Sequence, residues 1–139
     1  SQIILKDKIV EIGKSAFAWS YVKRIDMPDS VIQLGESVFC DCKNLEYIRL
    51  SSSLQTIEEN TFKNCEKLNH VHIPEGVKKI KKDAFRYCKQ LTDIYLPDSL
   101  EKIEEGAFAY SGFKTVVVPK QPDIAEGAFM ENCQIIRRE

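Results

Sequence analysis

His70 and His72 stand one residue apart, with Asp93 one repeat interval beyond His70, and imidazole with carboxylate is an ordinary ligand set for zinc and related ions. A spacing of two puts both imidazoles on one side of an extended strand, a loose arrangement that closes no ligand set, so no metal site and no cofactor are assigned. Five cysteines raise zinc and disulfide chemistry next. Cys40-x-Cys42 has no second pair at zinc-ligand spacing. Cys42, Cys65 and Cys88 stand 23 apart, a regularity that suggests one structural column. Nucleophilic catalysis needs a thiol or hydroxyl, a base and an orienting group brought together, and here histidines and cysteines fall at different places in the pattern. Gly13 and Gly35 are isolated and form no phosphate-cradling loop. An enzyme is not expected.

The chain has 139 residues, of which 43% are hydrophobic and 29% charged, the composition of a folded domain and not of a disordered one. No apolar run reaches the roughly 20 residues that cross a bilayer, so membrane insertion is not expected, and no signal peptide is read in the first residues. The net charge of −1 supplies no overall field toward nucleic acid.

What positions these residues is a repeat. Phe17, Phe39, Phe62, Phe85, Phe108 and Phe129 recur at intervals of 22, 23, 23, 23 and 21. From Phe62 the unit runs Cys65, Leu68, Val71, Ile73, Pro74, Val77, Ile80, Ala84, and the next unit copies it as Cys88, Leu91, Ile94, Leu96, Pro97, Leu100, Ile103, Ala107. The units that start at Phe17 and Phe108 are a residue short before the strand and carry Ser20 and Ser111 in the cysteine column. Pairs such as Ile48/Leu50 and Val71/Ile73 predict short strands with one face buried. Pro28, Pro74, Pro97 and Pro119 end them, since proline cannot donate to a ladder. The later step Val31/Leu34, Leu54/Ile57, Val77/Ile80, Leu100/Ile103 returns the chain along the opposite side, and Ala-Phe-x-x-Cys is expected to form a short helical turn. Stacked units bury what one unit cannot, and Cys42, Cys65 and Cys88 then point the same way as a ladder of buried, reduced thiols.

The stretch LNHVHIPEGVKKIKKDAFRYCKQLTDIYLPDSLEKIEEGAF resembles the BspA-like leucine-rich repeat family, and the likeness extends over essentially the whole chain. That resemblance implies an α/β, right-handed solenoid of about six 21–23-residue coils, with short parallel strands joined by turns or short helical segments. It implies one leucine-rich-repeat domain over residues 1–139, cut from a longer array. It also implies a secreted or cell-surface protein of the adhesion and protein-binding type, with no catalytic residues to transfer.

The register rewrites the surface. The basic run Lys78-Lys79-Ile80-Lys81-Lys82 stacks against acids, with Glu58, Lys81 and Glu104 in one column and Glu59, Lys82 and Glu105 in the next, which argues against nucleic-acid binding. The outward strand positions read Gln2, Arg24, Tyr47, His70, Asp93, Thr115 and, beside them, Ile4, Asp26, Arg49, His72, Tyr95, Val117. Arg24, Asp26, Tyr47, Arg49, His70, His72, Asp93 and Tyr95 form the candidate binding surface, because Tyr and Arg carry much of the energy of protein interfaces. The expected partner is a protein. Glycan or small-ligand binding on the same face, built on Tyr47, Tyr95 and the histidines, is the alternative, and a structural spacer the third. Trp19, Tyr21, Tyr110 and Phe113 flank the shortened units and are expected to fill the space left there ahead of any ligand role. The amino-terminal edge has no evident cap, which makes self-association there an expectation.

Overall fold

A computed structural model describes residues 2–139. The outward-facing strands are β1 (Gln2–Ile4), β3 (Arg24–Asp26), β5 (Tyr47–Arg49), β7 (His70–His72), β10 (Thr115–Val118) and β12 (Gln134–Arg137). Those on the return side are β2 (Glu11–Ile12), β4 (Gln33–Leu34), β6 (Thr56–Ile57), β8 (Lys79–Ile80), β9 (Lys102–Ile103) and β11 (Asp123–Ile124). Every pairing is parallel and in repeat register: Arg24 opposite Tyr47 opposite His70, and Asp26 opposite Arg49 opposite His72. The chain is therefore a parallel β-solenoid of about six turns.

The core runs along the axis in columns. Ile25 and Ile48 are wholly buried on the inward side of their strands, and Leu34, Ile57, Ile80 and Ile103 close the core from the return side. Successive phenylalanine rings from Phe17 to Phe129 stack nearly parallel with centroids 5.0–5.7 Å apart. Each buried thiol donates to the phenylalanine carbonyl of the coil before: Cys42 to Phe17 at 3.1 Å, Cys65 to Phe39 at 3.1 Å and Cys88 to Phe62 at 3.2 Å. The cysteine column thus satisfies carbonyls as well as packing, whereas Ser111, in the same column, turns back to donate to the Phe108 carbonyl of its own coil. Burial pushes the Cys42 thiol up to about 11 and also raises Cys65 and Cys88 well above the ordinary thiol range.

The expected helical turns do not form, and the α/β label falls with them: no helix occurs among the described residues. Hydrogen bonding explains why. Around Phe62, Thr61, Lys63 and Cys65 donate within the coil to Glu58, Asn60 and Phe62, whereas Asn60, Phe62 and Asn64 donate across to Lys82, Ala84 and Arg86 of the next coil. An α-helix would keep every such bond inside the segment. Alternation between coils is possible because two positions per unit turn left-handed. One column holds Ser15, Ser37, Asn60, Asp83, Gly106 and Gly127, and the other Trp19, Asp41, Asn64, Tyr87 and Tyr110, all with φ between 56° and 80°. Cross-coil pairing of the turn backbone outweighs the local helix.

A second departure lies in the outward sheet. β1, β3, β5 and β7 form one four-stranded sheet and β10 with β12 another, while residues 91–97 between them have no strand. Ile94 still points inward and is buried, so the side-chain column continues where the backbone ladder is interrupted. The return-side ladder β6-β8-β9-β11 passes this level unbroken.

Candidate functional site

The outward face of β3, β5 and β7 assembles four of the expected residues into one unit. Arg24 Nε donates to Asp26 Oδ2 at 3.1 Å, which raises the guanidinium pKa and holds it 4.1 Å above the Tyr47 ring centroid. On the other side of Tyr47 the His70 ring stacks at 5.0 Å and 8°. Parallel register produces this column, since it puts each side chain directly beside its counterpart two strands of the ladder in sequence. Both faces of Tyr47 are consequently covered. His72 is exposed on the neighbouring column.

Arg49 leaves that face. Its guanidinium turns to the end of the preceding coil, donating from Nη1 to the Met27 carbonyl at 2.8 Å and from Nη2 to both Asp29 carboxylate oxygens at 3.2 Å. The Ser52 N–H also donates to Asp29, and with Arg49 it holds that carboxyl below its usual value. Tyr95 is in an equivalent position: the Arg138 guanidinium lies 4.8 Å above its ring while donating to the Leu96 carbonyl at 2.7 Å and to Asp98 at 2.6 Å. Asp93 and Tyr95 are exposed but sit on residues 91–97, outside the strand ladder that was expected to carry them. The sequence expectation thus names eight residues, and the fold gathers Arg24, Asp26, Tyr47 and His70 while tying Arg49 to the Asp29 turn and setting Arg138 over the ring of exposed Tyr95.

Elsewhere the charge columns are only half used. Lys81 Nζ pairs with Glu58 at 3.0 Å, but Glu104 accepts the backbone N–H of Lys82 at 3.1 Å. Among the described residues no three His, Cys, Asp or Glu side chains converge as metal ligands, His70, His72 and Asp93 included. No helix of the described residues is long and apolar enough to cross a membrane.

The aromatic residues of the shortened units separate. Phe113 does fill space, meeting Phe108 and Phe129 edge-on. Trp19 and Tyr21, by contrast, are 67% and 81% exposed, and Tyr110 is exposed as well, which corrects the filling role expected for all of them. Tyr110 belongs to a cluster that a strand-centred reading of the sequence passes over. Its ring stacks on Tyr87 at 4.9 Å and 12°, and the Arg86 guanidinium lies 5.3 Å and 5.2 Å from the two centroids. Both tyrosines have φ near 60°, which for a bulky side chain costs on the order of 1–3 kcal/mol. Asp41 and Asn64 take the same turn position with residue types that tolerate it, and Asn64 Nδ2 donates to Asp41 at 2.8 Å. The spacing of 23 between Tyr87 and Tyr110 was the available signal.

Short parallel strands, return strands in register and a continuous column core define the class: a leucine-rich-repeat solenoid that offers a sheet face. The chain matches the BspA type leucine rich repeat region over residues 10–137, in six copies. It belongs to that family. Several solved structures resemble it. A leucine rich cell surface protein of Faecalibacterium prausnitzii is 33% identical with a TM-score of 0.80, over 84% of this chain and 31% of its own. The T. pallidum leucine rich repeat protein is 26% identical with a TM-score of 0.83, over 97% of this chain and 68% of its own. A leucine-rich repeat protein of Eubacterium ventriosum, 22% identical with a TM-score of 0.84 over 93% of this chain and 36% of its own, shares the fold. The chain thus spans about a third of the Faecalibacterium protein and of the Eubacterium protein. A search of curated proteins finds no match.

Proposed function

We propose that this chain is a non-enzymatic protein-binding module that meets its partner through the outward face of β3, β5 and β7. The observation that carries this reading is the Arg24–Tyr47–His70 column, three aromatic or cationic side chains aligned by the ladder and steadied by Asp26. Pre-alignment lowers the ordering cost of binding, and Tyr and Arg are the side chains that dominate interface energy. Asp26 and His72 add polar selectivity at the margin, and Asp93 with Tyr95 extends the surface toward the carboxyl end. A cell-surface setting and an adhesive role are in keeping with the similarity to the Faecalibacterium cell surface protein.

Glycan binding on this face is the weaker reading, because Arg24 and His70 occupy both faces of Tyr47 and Arg138 takes one face of Tyr95. The test is cross-linking capture from a cell-surface protein extract with wild type, with Arg24→Ala/Tyr47→Ala/His70→Ala, and with a return-side control, Gln33→Ala/Lys79→Ala/Lys102→Ala. A partner retained by the control and lost by the triple variant is expected. Equal capture by all three would move the contact off this face.

A further inference from the structure

Two open clefts meet at Tyr110. One, of about 1250 Å³, is lined by Arg86, Glu105, Tyr110, Glu126, Met130 and Asn132 among others; the second, of about 540 Å³, shares Tyr110, Met130 and Asn132 and adds Tyr87 and Lys89. Tyr87 lies in the coil before Tyr110 and covers one face of its ring. Tyr110 lines both clefts together with Met130 and Asn132 of the following coil. Both tyrosines hold a left-handed backbone that Asp41 and Asn64 adopt more readily in the same column.

The chemistry of the walls selects the ligand. In the larger cleft Arg86 is paired with Asp83 at 3.3 Å and Arg137 donates to the Lys120 and Pro122 carbonyls, which leaves Glu105, Glu126 and Glu131 to make it acidic, whereas Lys89 and Lys114 make the smaller cleft basic, so a ligand reaching both sides of Tyr110 suits neither an anion nor a cation. A cation would meet a guanidinium already 5.2 Å from the Tyr110 centroid. A proline-rich peptide presents mostly carbonyl acceptors, to which carboxylates have nothing to donate. What remains is a neutral ring with an apolar C–H face for Tyr110 and a rim of hydroxyls that both donate to Glu105 and Glu126 and accept from Arg86 and Asn132.

We propose that Tyr110 and the clefts on either side of it form a saccharide-binding site, separate from the outward sheet face, in which a neutral sugar ring extends the Tyr87–Tyr110 stack. The test uses the full chain with neutral hexasaccharides of α-1,4-, β-1,4- and β-1,3-linked glucose, β-1,4-linked mannose and β-1,4-linked xylose, read by saturation-transfer NMR and titration. At least one is expected to bind, with transfer strongest to ring C–H protons. Tyr110→Asn should weaken it about tenfold, the worth of one aromatic stack, without lowering the melting temperature. Glu126→Gln and Asn132→Ala, both at exposed positions, should each weaken it ~3-fold and give a second readout that does not depend on the turn. Arg24→Ala/Tyr47→Ala/His70→Ala should bind the sugar as wild type does, which separates this site from the sheet face. The proposal fails if no hexasaccharide binds, if the Tyr110, Glu126 and Asn132 variants bind like wild type, if the sheet-face variant loses the sugar, or if heparin hexasaccharide or a decaproline peptide binds more tightly.

Discussion

Arg138 donates to the carboxylate of Asp98, forty residues earlier, at 2.6 Å, and the same guanidinium caps the Leu96 carbonyl and covers the Tyr95 ring. The arrangement repeats the one Arg49 makes with Met27 and Asp29. In both, an apolar residue, proline and aspartate follow the outward positions of the coil, and an arginine from a later coil holds the carbonyl before the proline and the carboxylate after it. Residues 91–97 have no ladder bonding of their own, so Arg138 is a principal tie at that level.

Removing that tie should be costly for a surface residue. Arg138→Ala is expected to lower the urea-unfolding free energy by about 1–2 kcal/mol, mostly through the charge-assisted bond to the carbonyl of buried Leu96, since the ion pair with exposed Asp98 counts for little. The Tyr95 ring resonances should shift as the guanidinium over them is lost, while β5 and β7 keep their hydrogen-exchange rates. Unmoved Tyr95 resonances would show that Arg138 has no such local role.

Asp29 gives the matching test by titration. Its folded-state value is depressed, by the Ser52 N–H first and Arg49 second, so its contribution is present above the ordinary carboxylate range and is lost as pH falls through the lowered value. Arg49→Ala should move the Asp29 carboxyl resonance midpoint upward without abolishing the depression, because the Ser52 bond remains. An unmoved midpoint would remove Arg49 from the account.

The phenylalanine column should be sensitive to position. Phe62 is fully buried between Phe39 and Phe85, and Phe62→Ala is expected to cost about 3–5 kcal/mol. Phe129, slightly exposed and stacked in this column on Phe108 alone, should cost less on the same replacement. Nearest-neighbour coupling in a stacked array predicts that ordering, and equal losses in chemical denaturation would contradict it.

Alkali should unfold the protein through its thiols. In the unfolded chain cysteine ionises near 8.5, whereas burial holds Cys42 at about 11 and raises Cys65 and Cys88 well above the ordinary thiol range. The unfolded state then binds fewer protons, so stability is full below about pH 8 and falls above it, by up to ~1.4 kcal/mol per pH unit for each thiol. Cys88→Ala should flatten the decline of the urea midpoint between pH 8.5 and 10.5. A wild-type midpoint that stays level over that range would refute the buried-thiol ladder.

Left-handed turn positions offer a gain. Ser37 has φ 61° where the next unit has Asn60, a residue type that enters this region more readily. Ser37→Asn is expected to stabilise by about 0.5 kcal/mol in thermal and urea unfolding. A loss would mean that the serine side chain has a task the turn geometry does not reveal.

Repetition made most of the scaffold legible. Phe17 to Phe129, the strand pairs such as Ile48/Leu50 and the prolines after them recur often enough to give period, register and the identity of the inward columns, and with these the partnership of Arg24, Tyr47 and His70 along one face. Register is a property of the sequence when one face must be buried, because slipping by one residue would expose every apolar side chain. Residues that act along the axis were not legible in that way. Whether Phe62 to Cys65 coils into a helix depends on carbonyls 23 residues away that compete for its N–H groups, and whether Arg49 faces a partner or the Asp29 turn depends on the height and tilt of the preceding coil. The stack of Tyr87 on Tyr110, the clefts beside it and the interrupted ladder at Asp93 and Tyr95 have the same origin. Sequence settled which side chains lie inside and in what order the coils stack, since hydrophobic burial follows the period of the chain. Only the tertiary structure decided where polar and aromatic tips point, since those are governed by distances between coils that no single repeat contains.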